Sequence, residues 1–122
     1  MELRNPLTKG RLDALRPRPL VVDFDFNDIS SGSLVAGTIL AGYIAREVLL
    51  EITTPFDGGV QITIGDSVAQ ARLMAIADND PTTADGYIVP NHYEYGSDTE
   101  VRVYFPGGSP TIGVGRAIIY VE

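Results

Sequence analysis

The sequence predicts an all-β fold, an antiparallel β-sandwich or jelly roll of about eight strands preceded by an extended N-terminal arm. Short apolar or alternating segments recur along the chain, and glycine, proline and aspartate separate them at short spacing. Only one segment has the composition of a helix, and its end favours a strand. With 122 residues and 44% apolar content, the chain suits a single domain. We expect the arm to cover residues 1–19 and the β-domain to cover residues 20–122.

The arm differs from the rest of the chain in charge and in proline content. Against Glu2 and Asp13 it carries five cations, which are Arg4, Lys9, Arg11, Arg16 and Arg18. Its local charge is therefore +3, and because the whole chain carries -7, residues 20–122 carry -10. Prolines at positions 17 and 19 favour an extended conformation. We expect the arm to anchor the protein to another surface, whereas the acidic domain argues against nucleic-acid binding.

The first half of the β-domain contains three predicted strands. Residues 20–26 alternate as in a half-buried strand, and one face consists of Leu20, Val22, Phe24 and Phe26. A loop over residues 27–34 leads to a short apolar run over residues 35–40. Residues 43–54 include good helix formers, but their β-branched end ITT runs directly into Pro55 and favours a long strand.

The stretch PFDGGVQITIGD, residues 55–66, is interpreted as a turn followed by a strand. Its glycines precede neither a lysine nor a helix start, so it does not fit a phosphate-binding loop. We expect Asp57-Gly58-Gly59 to be the tight connection of a hairpin, in which the glycines supply the positive φ that the turn needs. Residues 59–65 should be a strand with Gln61 and Thr63 facing outward. One helical turn and a strand over residues 72–76 should follow, and then an acidic loop over residues 78–85.

The C-terminal part of the chain contains three more predicted strands. Residues 86–95 should form an edge or bent strand because Pro90 interrupts them, and residues 99–105 alternate cleanly. A turn over residues 106–113 then leads to the last strand, residues 114–121. Both faces of that strand are apolar, which is more than one sandwich face needs and predicts a subunit interface. The residues assigned to this interface are Leu49, Ile118, Ile119, Tyr120 and Val121.

Enzymatic chemistry has little support in the sequence. The chain has no cysteine and one histidine, His92, with no GxSxG motif to accompany it. Asp23 and Asp25 have a spacing that suits a glycosidase, but a solvated strand face explains them as well. The loop DNDPTTAD is rich in oxygen ligands without the spacing of an EF-hand. We therefore expect a protein that is not an enzyme and binds no cofactor, metal or membrane.

Four tyrosines suggest an alternative binding function. Tyr87, Tyr93, Tyr95 and Tyr104 each offer an apolar face with a polar edge, the chemistry that recognises sugars. Strands also attract tyrosine for packing, so the same residues fit a core or an interface. A carbohydrate-binding surface made of these four side chains is therefore the alternative hypothesis.

Four segments carry a resemblance that covers about residues 20–122. They are VVDFDFND, GTILAGYIAREVLLEITTPFDGGVQITIGD, ARLMAIADND and TEVRVYFPGGSPTIGVGRAIIYVE. An aspartate-rich first strand, a strand ending in F-D-G-G, an I-G-D strand end and a glycine-split final hairpin together resemble small phage virion proteins of the head-decoration or fibre type. The resemblance implies a jelly-roll-like sandwich, often a homotrimer, displayed on the particle. The arm is not part of the shared pattern.

The resemblance and the residue patterns together lead to one expectation about function. We expect a structural virion protein, made in the host cytoplasm, that acts as a capsid decoration or cement protein. Its partners would be two further copies of itself in a homotrimer, and the major capsid protein or a neighbouring virion protein contacted by the arm. The alternative is a carbohydrate-binding or receptor-binding module of a head or tail fibre.

Overall fold

The computed structural model describes residues 18–122 and forms a sandwich of two antiparallel sheets. The predicted all-β class is confirmed. The seven strands are β1 (Arg18–Asp25), β2 (Ser33–Ile39), β3 (Ile44–Thr54), β4 (Gln61–Asp66), β5 (Asp85–Glu94), β6 (Thr99–Gly107) and β7 (Val114–Val121). Two short 3-10 helices, Phe26–Ser31 and Ile76–Asp78, accompany them. Residues 18–122 contain no helix that is long and apolar enough to span a membrane.

The strand order is that of a jelly roll. One sheet has the order β1-β7-β3-β5 and the other has the order β2-β6-β4. From β2 to β7, each strand lies in the opposite sheet from the strand before it. An additional segment with the 3-10 helix Ile76–Asp78 separates β4 from β5. The connections therefore gather at two ends of the sandwich. We call them the loop end (residues 26–32, 55–60, 76–84 and 108–113) and the terminal end (residues 40–43, 66–73 and 95–98, with Arg18 and Glu122).

The predicted eighth strand, residues 72–76, is reduced to a single bridge between Met74 and Ile64 at the free edge of β4. The chain cannot continue along β4 because it turns at once into the 3-10 helix Ile76–Asp78. The Asp78 carboxylate holds this turn by accepting a hydrogen bond from the Ala75 amide at 2.8 Å. The segment still occupies the place of an eighth strand, at the edge of the three-stranded sheet.

The prediction of a hairpin at Asp57-Gly58-Gly59 is wrong. The two strands that this turn connects lie in different sheets, because β3 pairs with β5 and β7 whereas β4 pairs with β6. The glycines do have the predicted backbone conformation, with φ of 74° at Gly58 and 72° at Gly59. The turn thus carries the chain across the sandwich at the loop end.

Thr63 was predicted to face outward into solvent, but it is buried, with 5% of its surface exposed. Its cross-strand neighbour Tyr104 is also buried and lies directly opposite on β6. The chain also folds back over this side of β4. A β-carbon placed at Gly65 would lie 2.3 Å from the carbonyl oxygen of Ala69, so the chain after β4 covers the outer face of that strand.

The core lies between the sheets and contains most of the predicted inward residues. Phe24 packs on Phe56 and Phe105, with ring centroids 5.9 and 5.3 Å apart. Phe26, which was predicted to share the face of Phe24, is 36% exposed because the strand ends at Asp25. The Asp25 carboxylate caps the 3-10 helix by accepting the Asn27 amide at 2.8 Å, which turns the chain away from the sheet.

Candidate interaction surface

A continuous row of apolar side chains crosses the outer face of the four-stranded sheet. Val21 on β1 lies opposite Ile118 on β7, which lies opposite Leu49 on β3, which lies opposite Ile88 on β5. Val21 is 47% exposed and Ile88 is 61% exposed, whereas Leu49 and Ile118 are half-buried. We call these four residues the apolar row. It exists because the alternation of all four strands is in register across the sheet.

The neighbouring rows of the same face set the limits of this apolar surface. Toward the loop end, Asp23, Arg116 and Glu51 lie side by side, and the Asp23 carboxylate accepts a hydrogen bond from Arg116 Nε at 2.6 Å. Toward the terminal end, Pro19 and Tyr120 are cross-strand neighbours and extend the apolar surface. Glu47 lies beside Tyr120 in this second row. The result is a mainly apolar face with charged residues on both sides, which is the general make-up of a protein interface.

The predicted interface residues divide between this face and the core. Leu49, Ile118 and Tyr120 lie on the outer face and are half-buried. Ile119 and Val121 point the other way and are buried in the core of the same chain, with 0% and 6% of their surface exposed. These two residues cannot reach another subunit, because the pleat places alternate side chains on opposite faces.

The predicted arm lies mostly outside the described residues. Arg4, Lys9, Arg11 and Arg16 belong to residues 1–17, which lie outside the described range 18–122. Arg18 is the first residue of β1, where its backbone pairs with that of Val121. The arm therefore joins the domain at the terminal end, next to the ion pair that Arg46 forms with Glu122.

The four tyrosines that were predicted to contact glycans do not share one surface. Tyr95 and Tyr104 are buried, with 4% and 9% exposure. Tyr87 is half-buried near the loop end, where its hydroxyl donates to the carbonyl oxygens of Asp80 and Thr83. Only Tyr93 is exposed, at 38%, and it packs edge-on against Tyr95 with ring centroids 4.7 Å apart.

Tyr95 belongs to a buried polar cluster at the terminal end that the sequence interpretation missed. Its hydroxyl donates to Asp66 Oδ2 at 3.0 Å, and Arg72 Nε donates to the same oxygen at 2.7 Å. Asp66 Oδ1 accepts the amides of Val68 and Ala69, both at 3.0 Å. The guanidinium of Arg72 also lies 4.4 Å from the centroid of the ring of Tyr93.

The hydrogen bonds of this cluster determine its protonation. Burial acts to raise the pKa of Asp66, but hydrogen bonds from Arg72, the Ala69 amide and Tyr95 outweigh it and hold the pKa below its usual range. Burial, the hydrogen bond to Asp66 and the charge of that carboxylate raise the pKa of Tyr95. Asp66 is therefore ionised and Tyr95 neutral at neutral pH. The cluster fixes the connection between β4 and the following segment.

The loop end is acidic. Its loops and the adjoining strand ends carry six carboxylates and, within the described ranges that define it, no lysine or arginine; the six are Asp25, Asp28, Asp57, Asp78, Asp80 and Asp85. Each accepts at least one hydrogen bond. Hydrogen bonds from Thr111 lower the pKa of Asp57, and hydrogen bonds from Thr82 and Thr83 lower the pKa of Asp80. His92 is exposed on the edge strand β5.

Comparisons with known proteins identify similar folds. A chain of the capsid asymmetric unit of cyanophage Pam1 matches with a TM-score of 0.62 at 14% identity, over 87% of this chain and 84% of that chain. A chain of the acidic stable capsid structure of Helicobacter pylori bacteriophage KHP30 matches with a TM-score of 0.69 at 13% identity, over 86% of each. No protein-family model and no curated protein matches the sequence. At these identities the likeness shows a shared fold.

Proposed function

We propose that this protein is a structural, non-enzymatic component of a phage virion, of the capsid decoration or cement type. The observation that carries the proposal is the similarity of this jelly roll to chains of two phage capsid structures, which covers 86–87% of this chain and 84–86% of those chains. The resemblance of its sequence segments to small virion proteins points the same way. On this proposal the protein is made in the host cytoplasm and resides in the virion.

The proposal includes a homotrimer whose subunits meet through the apolar row. A face with Val21 and Ile88 about half exposed, bordered by charges, is poorly suited to contact with water alone. The variant Ile88→Lys places a charge at the most exposed position of the row, without disturbing the core. We expect it to shift the mass in solution from trimer to monomer. Val68→Lys is the matched control, because Val68 is 87% exposed at the terminal end and lies outside the row.

If Ile88→Lys and Val68→Lys leave the same mass as the unmodified chain, the apolar row is not the subunit interface. The thermal melt of Val68→Lys should stay near that of the unmodified chain, because its position is exposed and outside the row. Ile88→Lys should stay folded but lose the part of the stability that trimer formation adds.

The proposal also gives the arm the role of an anchor on the major capsid protein or a neighbouring virion protein. Its five cations oppose the charge of an acidic shell surface, and its prolines limit the entropy lost on docking. We expect replacement of Arg4, Lys9 and Arg11 by glutamate to abolish co-sedimentation with particles. The domain should keep its thermal stability, since β1 begins only at Arg18. Undiminished co-sedimentation of the folded variant would contradict the anchoring role.

The alternative, a glycan-binding module that uses the four tyrosines, has weaker support. Two of the four side chains are buried, and Tyr87 and Tyr93 lie toward opposite ends of β5. A site built from all four tyrosines requires their rings to be exposed side by side, and among the four only Tyr93 is exposed.

A further inference from the structure

A groove opens at the loop end, between the 3-10 helix Phe26–Ser31 and the connection from β6 to β7. Phe26, Asn27 and Ser30 form one wall, and residues 108–111 form the other. The groove has a volume of about 430 Å³, which lies in the range of small-molecule sites. It is separate from the apolar row, which crosses the outer face of the four-stranded sheet.

The walls of the groove are held in place by hydrogen bonds between loops that are distant in sequence. The Phe26 amide donates to the Gly113 carbonyl at 3.0 Å, and the Ser109 amide donates to the Gly58 carbonyl at 2.9 Å. Asp57 accepts both the amide and the hydroxyl of Thr111, each at 2.6 Å. A groove fixed in this way loses little conformational entropy when a ligand enters.

The groove presents an aromatic face beside uncharged hydrogen-bonding groups. Phe26 is 36% exposed. Within the described residues, the side chains of Asn27, Ser30 and Ser109 make no hydrogen bond with another residue. Their amide and hydroxyl groups can therefore form hydrogen bonds with a ligand. An aromatic face with donors and acceptors at its edge suits a molecule that has C–H groups on one side and hydroxyls around its rim.

The charge around the groove limits the ligand further. Asp28 lies on the same 3-10 helix and Asp57 lies beneath the opposite wall, and the loop end as defined above carries no cation. The potential therefore disfavours phosphates, carboxylates and other anionic ligands. The carboxylates of both residues accept backbone or hydroxyl hydrogen bonds, and their remaining lone pairs can accept only from donors such as the hydroxyls of a neutral ligand. We infer that the groove is a binding site for one neutral sugar ring.

This inference is independent of the proposed trimer and of the arm, because it uses residues of neither. It also differs from the tyrosine hypothesis in both place and residues. A single sugar ring in an open groove should bind with a dissociation constant of about 1–10 mM.

The test is a titration of the isotope-labelled full chain with neutral methyl glycosides, followed by amide chemical shifts in NMR spectra. The probes are the methyl glycosides of glucose, galactose, mannose and N-acetylglucosamine, with N-acetylneuraminic acid as the anionic comparison. We expect saturable shifts at residues 26–30 and 108–111 with at least one neutral glycoside, and weaker binding of the anionic sugar.

Variants assign the binding to the groove. Phe26→Ala, and separately the double variant Ser30→Ala with Ser109→Ala, should weaken binding by about tenfold or more, since each removes an aromatic contact or two hydrogen bonds. Tyr93→Ala is the control and should bind like the unmodified chain. The serine variant keeps the inference testable if Phe26→Ala fails to fold.

Three results would overturn the inference. The first is the absence of saturable shifts with every neutral glycoside. The second is binding that survives the serine double variant and is lost in folded Tyr93→Ala, which would return the site to the tyrosines. The third is a synthetic peptide of residues 1–17 that shifts the groove amides at lower concentration than any sugar, which would make the groove a dock for the arm of another copy.

Discussion

Asp66 is the buried carboxylate on which the structure makes its most specific prediction. In the variant Asp66→Asn, the side-chain oxygen can still accept the amides of Val68 and Ala69, because both bonds are to Oδ1. At the Oδ2 position the new NH2 group faces Arg72 Nε, so two donors meet where a charged hydrogen bond of 2.7 Å stood. The hydroxyl of Tyr95 can rotate to accept instead of donating. The loss is therefore mainly that of the contact with Arg72.

The magnitude follows from the burial of the two partners. Asp66 is 2% exposed and Arg72 is 23% exposed, so the pair is only partly screened by water. Loss of a charged hydrogen bond in this setting should lower the free energy of unfolding by about 2 kcal/mol. For a domain of this size that corresponds to a fall in Tm of roughly 8 °C or more. Asp66→Ala removes every bond to the carboxylate and should cost about 3–5 kcal/mol.

Urea denaturation at a series of pH values measures this effect. The pKa of Asp66 is lowered in the folded state. Its contribution to the free energy of unfolding is therefore present above the usual carboxyl pKa of about 4, and it is lost as pH falls through the pKa that Asp66 has in the folded protein. The unmodified chain and Asp66→Asn should therefore differ at pH 7 and converge in strong acid. Asp23→Asn is the control, since its ion pair with Arg116 is exposed and screened by solvent. An equal loss in both variants, or a difference that does not change with pH, would refute this reasoning.

Three further predictions concern backbone packing and alkaline pH. The new β-carbon of Gly59→Ala has no atom within 4 Å, so this variant should lose only about 1–2 kcal/mol through left-handed backbone strain. Gly58 has nearly the same φ, but the β-carbon of Gly58→Ala would also lie 2.3 Å from a carbonyl oxygen of the β6–β7 connection. The Tm of Gly58→Ala should therefore be well below that of Gly59→Ala. Gly65→Ala meets backbone at 2.3 Å and should lose about 1–3 kcal/mol, while Gly96→Ala, in open space, should stay within about 0.5 kcal/mol of the unmodified chain. Because the pKa of Tyr95 is raised in the folded state, its contribution to the stability of the fold is complete below about pH 10 and is lost as pH rises further. The fall in Tm at alkaline pH should therefore be smaller in Tyr95→Phe than in the unmodified chain.

The strands could be predicted from the sequence because their signal is local. The alternation in residues 43–54 and 114–121 identified β3 and β7 within one or two residues of their bounds. Sheet partners are not a local property. The glycines at 58 and 59 were correctly given positive φ, but whether their turn closes a hairpin or crosses the sandwich depends on pairing between β4 and β6, about 40 residues apart.

The same distinction explains the outcome at the candidate sites. Leu49 and Ile118 were predicted as interface residues from their own strands, yet the apolar row appears only when the register of four strands is known. The sequence did contain a signal for the buried cluster. Asp66 continues the inward positions of Ile62 and Ile64, and a carboxylate at an inward position requires a buried partner. The identity of that partner, Arg72, depends on how the chain folds back after β4.

The molar mass in solution tests the account of this protein as a trimeric virion component most directly. Light scattering on the full chain at micromolar concentration should give three times the 13.1 kDa mass of the chain, and Ile88→Lys should give the mass of one chain. A strict monomer for the unmodified protein under the same conditions would contradict both the trimer and the interface role of the apolar row.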